Sequence, residues 1–354
     1  GLGLALLGRT AGRPEWVVLG LAGCLLHVWN HSFFKSLLFF CAGSVDHAAH
    51  TRQLDQLGGL AKTMPWTALM FLVGAVAICG LPPLNGFVSE LFVYLGLFRT
   101  VTAAGDVATA AMIGVPVLAM IGALAVACFV KVFGAVFLGQ PRTQAAARAQ
   151  ESPVSMRAAM AVLALVCALI GLAPMLVVPL LDPVLAGFGP QPGQSPLSLG
   201  ALVPLQTISL LAVALVAAIA LLGLVLGRRC RVAPRAGTWD CGYARPTSRM
   251  QYTASSFAQM IVVMFGWVLR PHVQEPRIEG LFPPPAKMHS HVDEVVLDRV
   301  LVPLGRRAER WFAWFHQFQQ GLTQHYVLYI LIAVVLMLGS LIPVDGSLAR
   351  LFMR

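Results

Sequence analysis

Charged side chains are scarce in this sequence: Asp, Glu, Lys and Arg make up 11% of its 354 residues. Soluble domains carry about 25% charged residues, so the deficit excludes an ordinary soluble protein. In their place, 58% of the residues are hydrophobic, and the mean hydropathy is +0.77. Several apolar stretches exceed the roughly 20 residues that a helix needs to cross the hydrocarbon core. These stretches are apolar nearly all round rather than along one stripe, which indicates membrane-spanning helices.

Cysteine motifs are also missing. The seven cysteines include no Cys-x-x-Cys pair, and five lie in apolar stretches, where Cys behaves as a small hydrophobic residue. Only Cys230 and Cys241 fall in a polar segment, and two thiols cannot hold an iron–sulfur cluster alone. Asp46, His47 and His50 lie beside a loop without clear further ligands, which disfavours a metal site there. We therefore expect no metal or cofactor in this chain.

Basic residues are concentrated in alternate loops, although the formal net charge is +10. No basic stripe is interleaved with aromatic residues, which excludes nucleic-acid binding as the function. The loop at 140–156 carries two arginines and the one at 228–324 begins with Arg-Arg-Cys-Arg, whereas the loop at 182–198 has no Lys or Arg. Because cytoplasmic loops are enriched in Lys and Arg, we expect 46–64, 140–156 and 228–324 in the cytoplasm, and 182–198 and the C-terminus outside.

The apolar stretches predict an all-α polytopic transmembrane helical bundle with broken helices. The second crossing is interrupted by the sequence LPPLNGF at 81–87, because two prolines deny a helix its hydrogen bonds and Asn-Gly is a turn signal. The predicted crossings cover residues 16–45, 65–98, 107–138, 157–181, 199–226 and 326–342.

Aromatic residues are grouped in one polar segment near the C-terminal end. The spacing of Trp311, Phe312, Trp314 and Phe315 in ERWFAWFHQF predicts an amphipathic helix. Such a helix lies at the membrane interface or packs against the soluble domain of a partner, and the sequence leaves both alternatives open.

Ionisable residues in the first crossing form the candidate functional site. His27, His31 and Lys35 are spaced i, i+4, i+8, so they share one helix face at intervals of ~6 Å along the axis. Lys35 lies ~15 Å by helical rise from the predicted cytoplasmic end, which is too deep for its side chain to reach water. A charge at that depth costs at least ~2.5–3.5 kcal/mol, so Lys35 is expected to face a polar cavity or a counter-charge.

Glu90 follows the predicted break and is the natural complement to this face. Broken helices in membranes are tolerated where the freed backbone groups line a cavity or are buried in protein, and they recur at ion sites of transporters. Together these residues predict part of a proton path, against the alternative that the histidines are packed and hydrogen-bonded for structure alone. Lys131 is a further candidate, although it is close enough to its helix end for the side chain to reach the interface instead.

Three stretches resemble the core of the antiporter-like membrane subunits, which occur in respiratory complex I, Mrp-type cation/proton antiporters and membrane-bound hydrogenases. The resemblance covers residues 1–140 and continues more weakly to 181. The matching stretches are HVWNHSFFKSLLFFCAGSV at 27–45, LGGLAKTMPWTALMFLVGAVAICGLPPLNGFVSE at 57–90 and VKVFGAVFLG at 130–139.

The resemblance implies a role for each of the candidate residues. His27, His31 and Lys35 would belong to a broken helix of the second half-channel, with Lys35 as the central connecting lysine. Glu90 would occupy the terminal position on the next broken helix, where relatives carry either Lys or Glu. The first half-channel would lie before Gly1, and we therefore expect this sequence to be the C-terminal part of a longer subunit.

The sequences WDCGY at 239–243 and RMQYTASSFAQ at 249–259 narrow the resemblance. They are similar to the hydrogenase-4 and formate hydrogenlyase branch of the family. That branch implies a bacterial inner-membrane subunit that has no redox site of its own and translocates protons while partner subunits transfer electrons. The partners would carry a [NiFe] centre and iron–sulfur clusters, or a quinone site. The alternatives are an Mrp-type Na⁺/H⁺ antiporter subunit and a non-pumping membrane scaffold for the peripheral arm.

These readings predict a division of the chain into consecutive regions. The first would be the C-terminal half of the proton-translocating domain, followed by an additional transmembrane helix, a cytoplasmic or interfacial segment, and a C-terminal helix with its tail. The predicted boundaries are 1–181, 182–227, 228–324 and 325–354.

Overall fold

The computed structural model groups the chain into two compact units, Gly1–Met260 and Ile261–Arg354. Most of the motif WDCGY, together with Arg249 and the segment 341–354, lies outside the described residues. The residues that the structure describes are 1–101, 106–188, 197–232, 242, 247–248, 250–276, 280, 288–294, 296–318 and 321–340.

The first unit is all-helical in its described part. Short 3-10 turns at Leu54–Gln56, Leu60–Lys62 and Pro174–Leu176 lie between the longer elements. The α-helices that begin in this unit are α1 (Leu2–Thr10), α2 (Pro14–Ala49), α3 (Pro65–Ile78), α4 (Asn85–Val101), α5 (Asp106–Phe137), α6 (Gln144–Arg148), α7 (Val154–Leu172), α8 (Val178–Ala186), α9 (Leu199–Leu202), α10 (Leu205–Val232) and α11 (Ala254–Met264).

The second unit contains the remaining helices and a small hairpin. The strands β1 (His272–Gln274) and β2 (His289–His291) pair antiparallel, with His272 opposite His291. The predicted aromatic helix is present in part: Trp311 and Phe312 are exposed on α13 (Val302–Ala313), whereas Trp314 and Phe315 lie in the 3-10 turn that follows it. The helical elements are α12 (Gly266–Leu269), a π-helical turn at Leu297–Leu301, α13 (Val302–Ala313), a 3-10 turn at Trp314–Phe318 and α14 (Thr323–Ser340).

The predicted polytopic all-α membrane fold is confirmed. Within the described residues, five helices are long and apolar enough to cross a membrane: α2, α7 and α14 throughout, α5 over Ile113–Phe137, and α10 over Leu205–Cys230. The helices α3 and α4 are each shorter, and together they replace the single interrupted crossing that the proline pair predicted. The chain is therefore a multi-pass membrane protein.

The expectation that His27, His31 and Lys35 lie in a broken helix is wrong for this structure. Helix α2 is continuous over 36 residues, Pro14–Ala49. Its only proline is in the first turn, where the backbone N–H would have no partner within the helix in any case. No proline therefore interrupts the backbone hydrogen bonds in the interior of α2. At ~1.5 Å per residue this helix is longer than the ~30 Å hydrocarbon core, so it must tilt or extend beyond it.

The predicted crossing at 157–181 is also not a single helix. α7 ends at Leu172, a 3-10 turn follows at Pro174–Leu176, and α8 begins at Val178. Pro174 has no N–H to donate and disfavours a helical conformation in the residue before it. The residues on both sides of this turn are apolar. Composition alone therefore predicted one crossing where the structure has two helices.

Helix α2 is the central element of the first unit, with α1, α3, α4 and α7 packed around it. A polar cluster near the α2 end fixes the start of α3. The Glu151 carboxylate accepts hydrogen bonds from the backbone N–H groups of Trp66 (2.8 Å) and Thr67 (3.2 Å), and from the Thr67 hydroxyl (2.5 Å). Ser44 of α2 joins the cluster through hydrogen bonds to the hydroxyls of Thr67 and Ser152. Glu151 therefore supplies acceptors to otherwise unsatisfied N–H groups at a helix N-terminus.

We expect Glu151→Ala to lower the free energy of unfolding by about 1–3 kcal/mol, because it leaves buried donors without an acceptor. The measurement is the midpoint of thermal unfolding in detergent. Asp55→Ala is the matched control, since Asp55 is exposed and forms no side-chain hydrogen bond or ion pair among the described residues. Equal midpoints for the two variants would contradict the capping role.

The break between α3 and α4 is tightly packed. Gly80 lies in the left-handed region with φ +63°, and the peptide bond between Pro82 and Pro83 is cis. A Cβ added at Gly86 would overlap the carbonyl oxygen of Ala77. On the α7 side, a Cβ at Gly171 would lie 2.6 Å from Cα of Leu84. The two half-helices can approach each other, and α7 can approach them, only because these positions lack side chains.

Gly86→Ala is expected to destabilise the bundle by about 1–3 kcal/mol, because the added methyl group must displace backbone rather than a flexible side chain. The thermal midpoint in detergent reports the effect. Gly43→Ala provides the control, since a Cβ at Gly43 meets nothing within 4 Å. If both variants unfold at the same temperature, the close approach at Ala77 is not a constraint.

Candidate functional site

The three predicted residues on α2 do share one face of the helix. The ring centroids of His27 and His31 are 6.3 Å apart. The Phe34 ring stands edge-on to both, at 6.1 Å from His27 and 5.3 Å from His31. The Lys35 ammonium lies over the Phe39 ring, 5.5 Å from its centroid. His27 and Lys35 are half-buried, and His31 between them is exposed, so the middle of the row lies on an open side of α2.

His27 is joined to the broken-helix pair through Ser89. Nδ1 of His27 lies 3.1 Å from the Ser89 hydroxyl oxygen, which in turn donates to the carbonyl oxygen of Gly86 at 2.9 Å. Because the single hydroxyl proton of Ser89 is directed to Gly86, the serine oxygen accepts from His27 Nδ1–H. With the hydroxyl in this orientation, a neutral His27 carries its proton on Nδ1 and leaves Nε2 free to take one up.

A second bond joins α2 to the beginning of α4. The Asn30 side-chain amide donates to the backbone carbonyl of Asn85 at 2.8 Å, and both residues are fully buried. Oδ1 of Asn30 and both side-chain polar atoms of Asn85 have no hydrogen-bond partner within the described part of the chain. The break is therefore lined by polar groups with unused hydrogen-bonding capacity.

Glu90 follows Ser89 on α4, and its carboxyl group lies against the break. A Cβ added at Gly80 would overlap the Glu90 carboxylate, with Cδ at 2.6 Å and Oε1 at 2.8 Å. Neither Lys35 nor either histidine forms an ion pair or hydrogen bond with Glu90 in the described structure. Among the described residues, the predicted complement therefore makes no direct contact of this kind with the α2 row; only its neighbour Ser89 bonds to His27.

Lys131 stands apart from this group. It lies half-buried on α5, which packs against both α3 and α4. Among the described residues it makes no ion pair with Glu90 or with any other carboxylate. The structure therefore brings His27, His31 and Ser89 together, places the Glu90 carboxylate against Gly80 at the break, and shows no ion pair from Lys35 or Lys131 to that acid within the described residues.

Sequence reasoning missed three residues of the site: Asn30, Asn85 and Ser89. Asn85 was interpreted with Gly86 as a turn signal, but in the structure it begins α4. The signal for Asn30 was its position one turn from His27 in an apolar helix, where a buried amide needs a partner. Nothing local indicated Ser89, because a serine inside a helix can bond its own backbone.

Within the described residues, no group of three or more His, Cys, Asp or Glu side chains could hold a metal ion. The chemistry that the site can support is transfer of protons among imidazole, hydroxyl, ammonium and carboxyl groups. His is suited to such transfer, because its unperturbed pKa lies near physiological pH.

The chain is similar to several known proteins. Residues 2–114 match the family model described as NADH:quinone oxidoreductase/Mrp antiporter, TM. The chain is 35% identical over 351 residues to hydrogenase-4 component B of Escherichia coli (strain K12), covering 95% of this chain and 52% of that protein. It is 38% identical over 274 residues to formate hydrogenlyase subunit 3 of the same organism, covering 76% of this chain and 43% of that protein.

A chain in the structure of the membrane-bound sulfane sulfur reductase (MBS), an archaeal respiratory membrane complex, has the same fold. The TM-score is 0.57 at 20% sequence identity, over 91% of this chain and 48% of that chain. This chain therefore spans about half the length of the relatives it matches. The predicted resemblance is confirmed: residues 2–114 match the model of the NADH:quinone oxidoreductase/Mrp antiporter transmembrane family, and the chain is similar along nearly its whole length to hydrogenase-4 component B.

Proposed function

We propose that this chain is the C-terminal part of a membrane subunit that translocates protons in a hydrogenase-4 or formate hydrogenlyase type complex. The observation that carries the proposal is the hydrogen bond between His27 and Ser89, which connects a row of titratable groups on α2 to a helix break that holds Glu90. The names of the relatives supply the type of complex, because both are components of hydrogenase systems.

The proposed path uses each titratable group in sequence. Lys35 relays a proton between this half-channel and a preceding one, and His31 and His27 carry it along α2. The Ser89 hydroxyl joins His27 to the break, and Glu90 passes the proton outward. Lys131 gives a second connection along α5 toward the side where α5 ends. The unsatisfied polar atoms of Asn30 and Asn85 add hydrogen-bonding capacity beside this route.

Energy for the transfer would come from partner subunits. A [NiFe] centre and iron–sulfur clusters, or a quinone site, would supply electron transfer there, in a bacterial inner membrane. In this arrangement residues 1–181 form the C-terminal half of the proton-translocating domain and 182–227 add a helix. Residues 228–324 lie on the cytoplasmic side near the partners, and 325–354 form the last helix and its tail.

The test uses the full-length protein in its complete complex, in sealed everted membrane vesicles. Adding the electron donor should produce proton uptake that a protonophore abolishes and a sodium ionophore leaves intact. Proton uptake driven by a Na⁺ gradient without electron transfer would instead identify an Mrp-type antiporter subunit. Electron transfer without any proton uptake beyond that of the redox chemistry would identify a scaffold for the peripheral arm.

A further inference from the structure

The segment 250–257, here called the latch, lies within the sequence RMQYTASSFAQ, which the proton path does not use. Its Gln251 forms a reciprocal pair with the backbone of Gln140: the Gln140 N–H donates to Oε1 at 2.9 Å, and Nε2 donates to the Gln140 carbonyl at 3.0 Å. The same Nε2 donates to the Ser248 carbonyl at 2.7 Å. Gly139, with φ +78°, has no side chain at the position that Oε1 of Gln251 occupies. The latch is thus seated on the turn that follows α5.

Arg142 joins the latch to α5 and to a third segment. Its Nη1 donates to the carbonyl oxygens of Leu57 at 2.8 Å and Ala135 at 2.7 Å, and its Nη2 donates to the carbonyl of Tyr252 at 2.7 Å. Ala135 is one helical turn after Lys131. Hydrogen bonds from a guanidinium are stronger than neutral ones, and a planar fork fixes the direction of each. One cation therefore holds the end of α5, the loop at Leu57 and the latch together.

Phe257 closes the other side of the latch against α5. A Cβ at Gly134 would lie 2.7 Å from Cζ of Phe257, so the ring rests on the backbone of the helix three residues after Lys131. The ring also lines an apolar cavity of about 210 Å³ between α3 and α5. Cys79 and Leu81, at the helix break, line the same cavity. Phe257 thus touches the helix that carries Lys131 and a space that reaches the break beside Glu90.

We propose that Arg142, Gln251 and Phe257 are positioning residues for proton transfer, and that the latch sets the position of the α5 turn that carries Lys131. This inference rests on the proposed function. The turn cannot shift or rotate without breaking the Arg142–Ala135 bond and displacing the Phe257 ring. If the latch moves away, the α5 turn loses these two contacts, and the cavity that leads to the break loses the Phe257 ring from its wall. In this proposal, a conformational change outside the helix bundle acts on the proton path by moving the latch and, with it, the α5 turn that carries Lys131.

The experiment compares Gln251→Ala and Phe257→Ala with the wild type in the complete complex in everted vesicles. It measures electron-transfer turnover, protons taken up per electron, and the amount of assembled complex. Both variants should assemble and turn over, while protons per electron fall by about 2- to 30-fold, the range expected for loss of energetic coupling. Gln259→Ala is the matched control, because Gln259 lies on α11, is exposed and makes no side-chain hydrogen bond among the described residues. It should retain the wild-type ratio.

Each other outcome overturns the inference. Suppose that Gln251→Ala and Phe257→Ala take up protons at the wild-type ratio per electron, while Lys35→Ala loses proton uptake. The proposed function would then stand, and the role proposed for the latch would be refuted. Failure of both variants to assemble, with Gln259→Ala intact, would show that the latch only holds the fold together. A parallel fall in turnover and in proton uptake, at an unchanged ratio, would place the defect in assembly or electron transfer and not in coupling. Absence of proton uptake in the wild type would refute the proposed function itself.

Discussion

Lys35→Ala is expected to lose proton translocation while the complex still assembles and transfers electrons. The Lys35 ammonium forms no ion pair or hydrogen bond among the described residues and contacts the Phe39 ring, so its removal leaves no buried partner charge unpaired. The row on α2 would then lose a group that can hold a proton. Removing a positioned proton-transfer group slows proton transfer by about 10²–10⁴-fold. Proton uptake by everted vesicles, normalised to electron transfer, measures the loss.

Lys62→Ala is the control for removing a positive charge, because Lys62 lies exposed in the loop before α3. It should pump like the wild type. Assembly is checked by native electrophoresis of both variants. Retained pumping in an assembled Lys35→Ala complex would remove Lys35 from the mechanism and favour the scaffold alternative.

Glu90→Gln is expected to have an effect of the same size. The substitution keeps the shape of the side chain, which matters because the carboxyl group fills the space over Gly80. Packing at the break is therefore retained, and only the capacity to release a proton is lost. Proton uptake per electron should fall by about 10²–10⁴-fold, with the thermal midpoint nearly unchanged.

Two comparisons make the Glu90 experiment specific. Glu15→Gln removes a carboxylate that only pairs with Arg13 at the start of α2, at 3.9 Å, and should pump normally. Gly80→Ala keeps Glu90 but places a methyl group where its carboxylate lies, at a backbone φ of +63° that favours glycine. It should lower both stability and pumping. A Glu90→Gln complex with wild-type pumping would exclude Glu90 from the path.

Apolar run length and helical spacing were sufficient to predict most of the fold. The sequence LPPLNGF predicted the break between α3 and α4, because proline acts on its own backbone and needs no tertiary partner. The spacing of His27, His31 and Lys35 predicted a common face, because helical geometry alone determines it. The errors came where composition does not report backbone continuity: α2 runs on without a break, and the stretch at 157–181 bends at Pro174.

The contacts that define the candidate site could not be derived from local pattern. The bonds from His27 to Ser89 and from Asn30 to Asn85 join residues 62 and 55 positions apart in sequence. Which face of α4 meets α2 depends on the close approach at Gly86 and on the packing of α7 at Gly171, both of which are tertiary features. For the same reason the sequence pointed to Glu90 but could not show that Ser89 is the residue of α4 that bonds to His27.

The Ser89 hydroxyl can give its single proton to only one acceptor at a time. While it points at the Gly86 carbonyl, His27 must keep a hydrogen on Nδ1; if it rotates toward Nδ1, the imidazole must move its hydrogen to Nε2, and the Gly86 carbonyl loses that bond. Tautomer exchange of His27 and rotation of the Ser89 hydroxyl are therefore one event. The orientation of one hydroxyl on α4 therefore determines which nitrogen of His27 can take up a proton from the rest of the row.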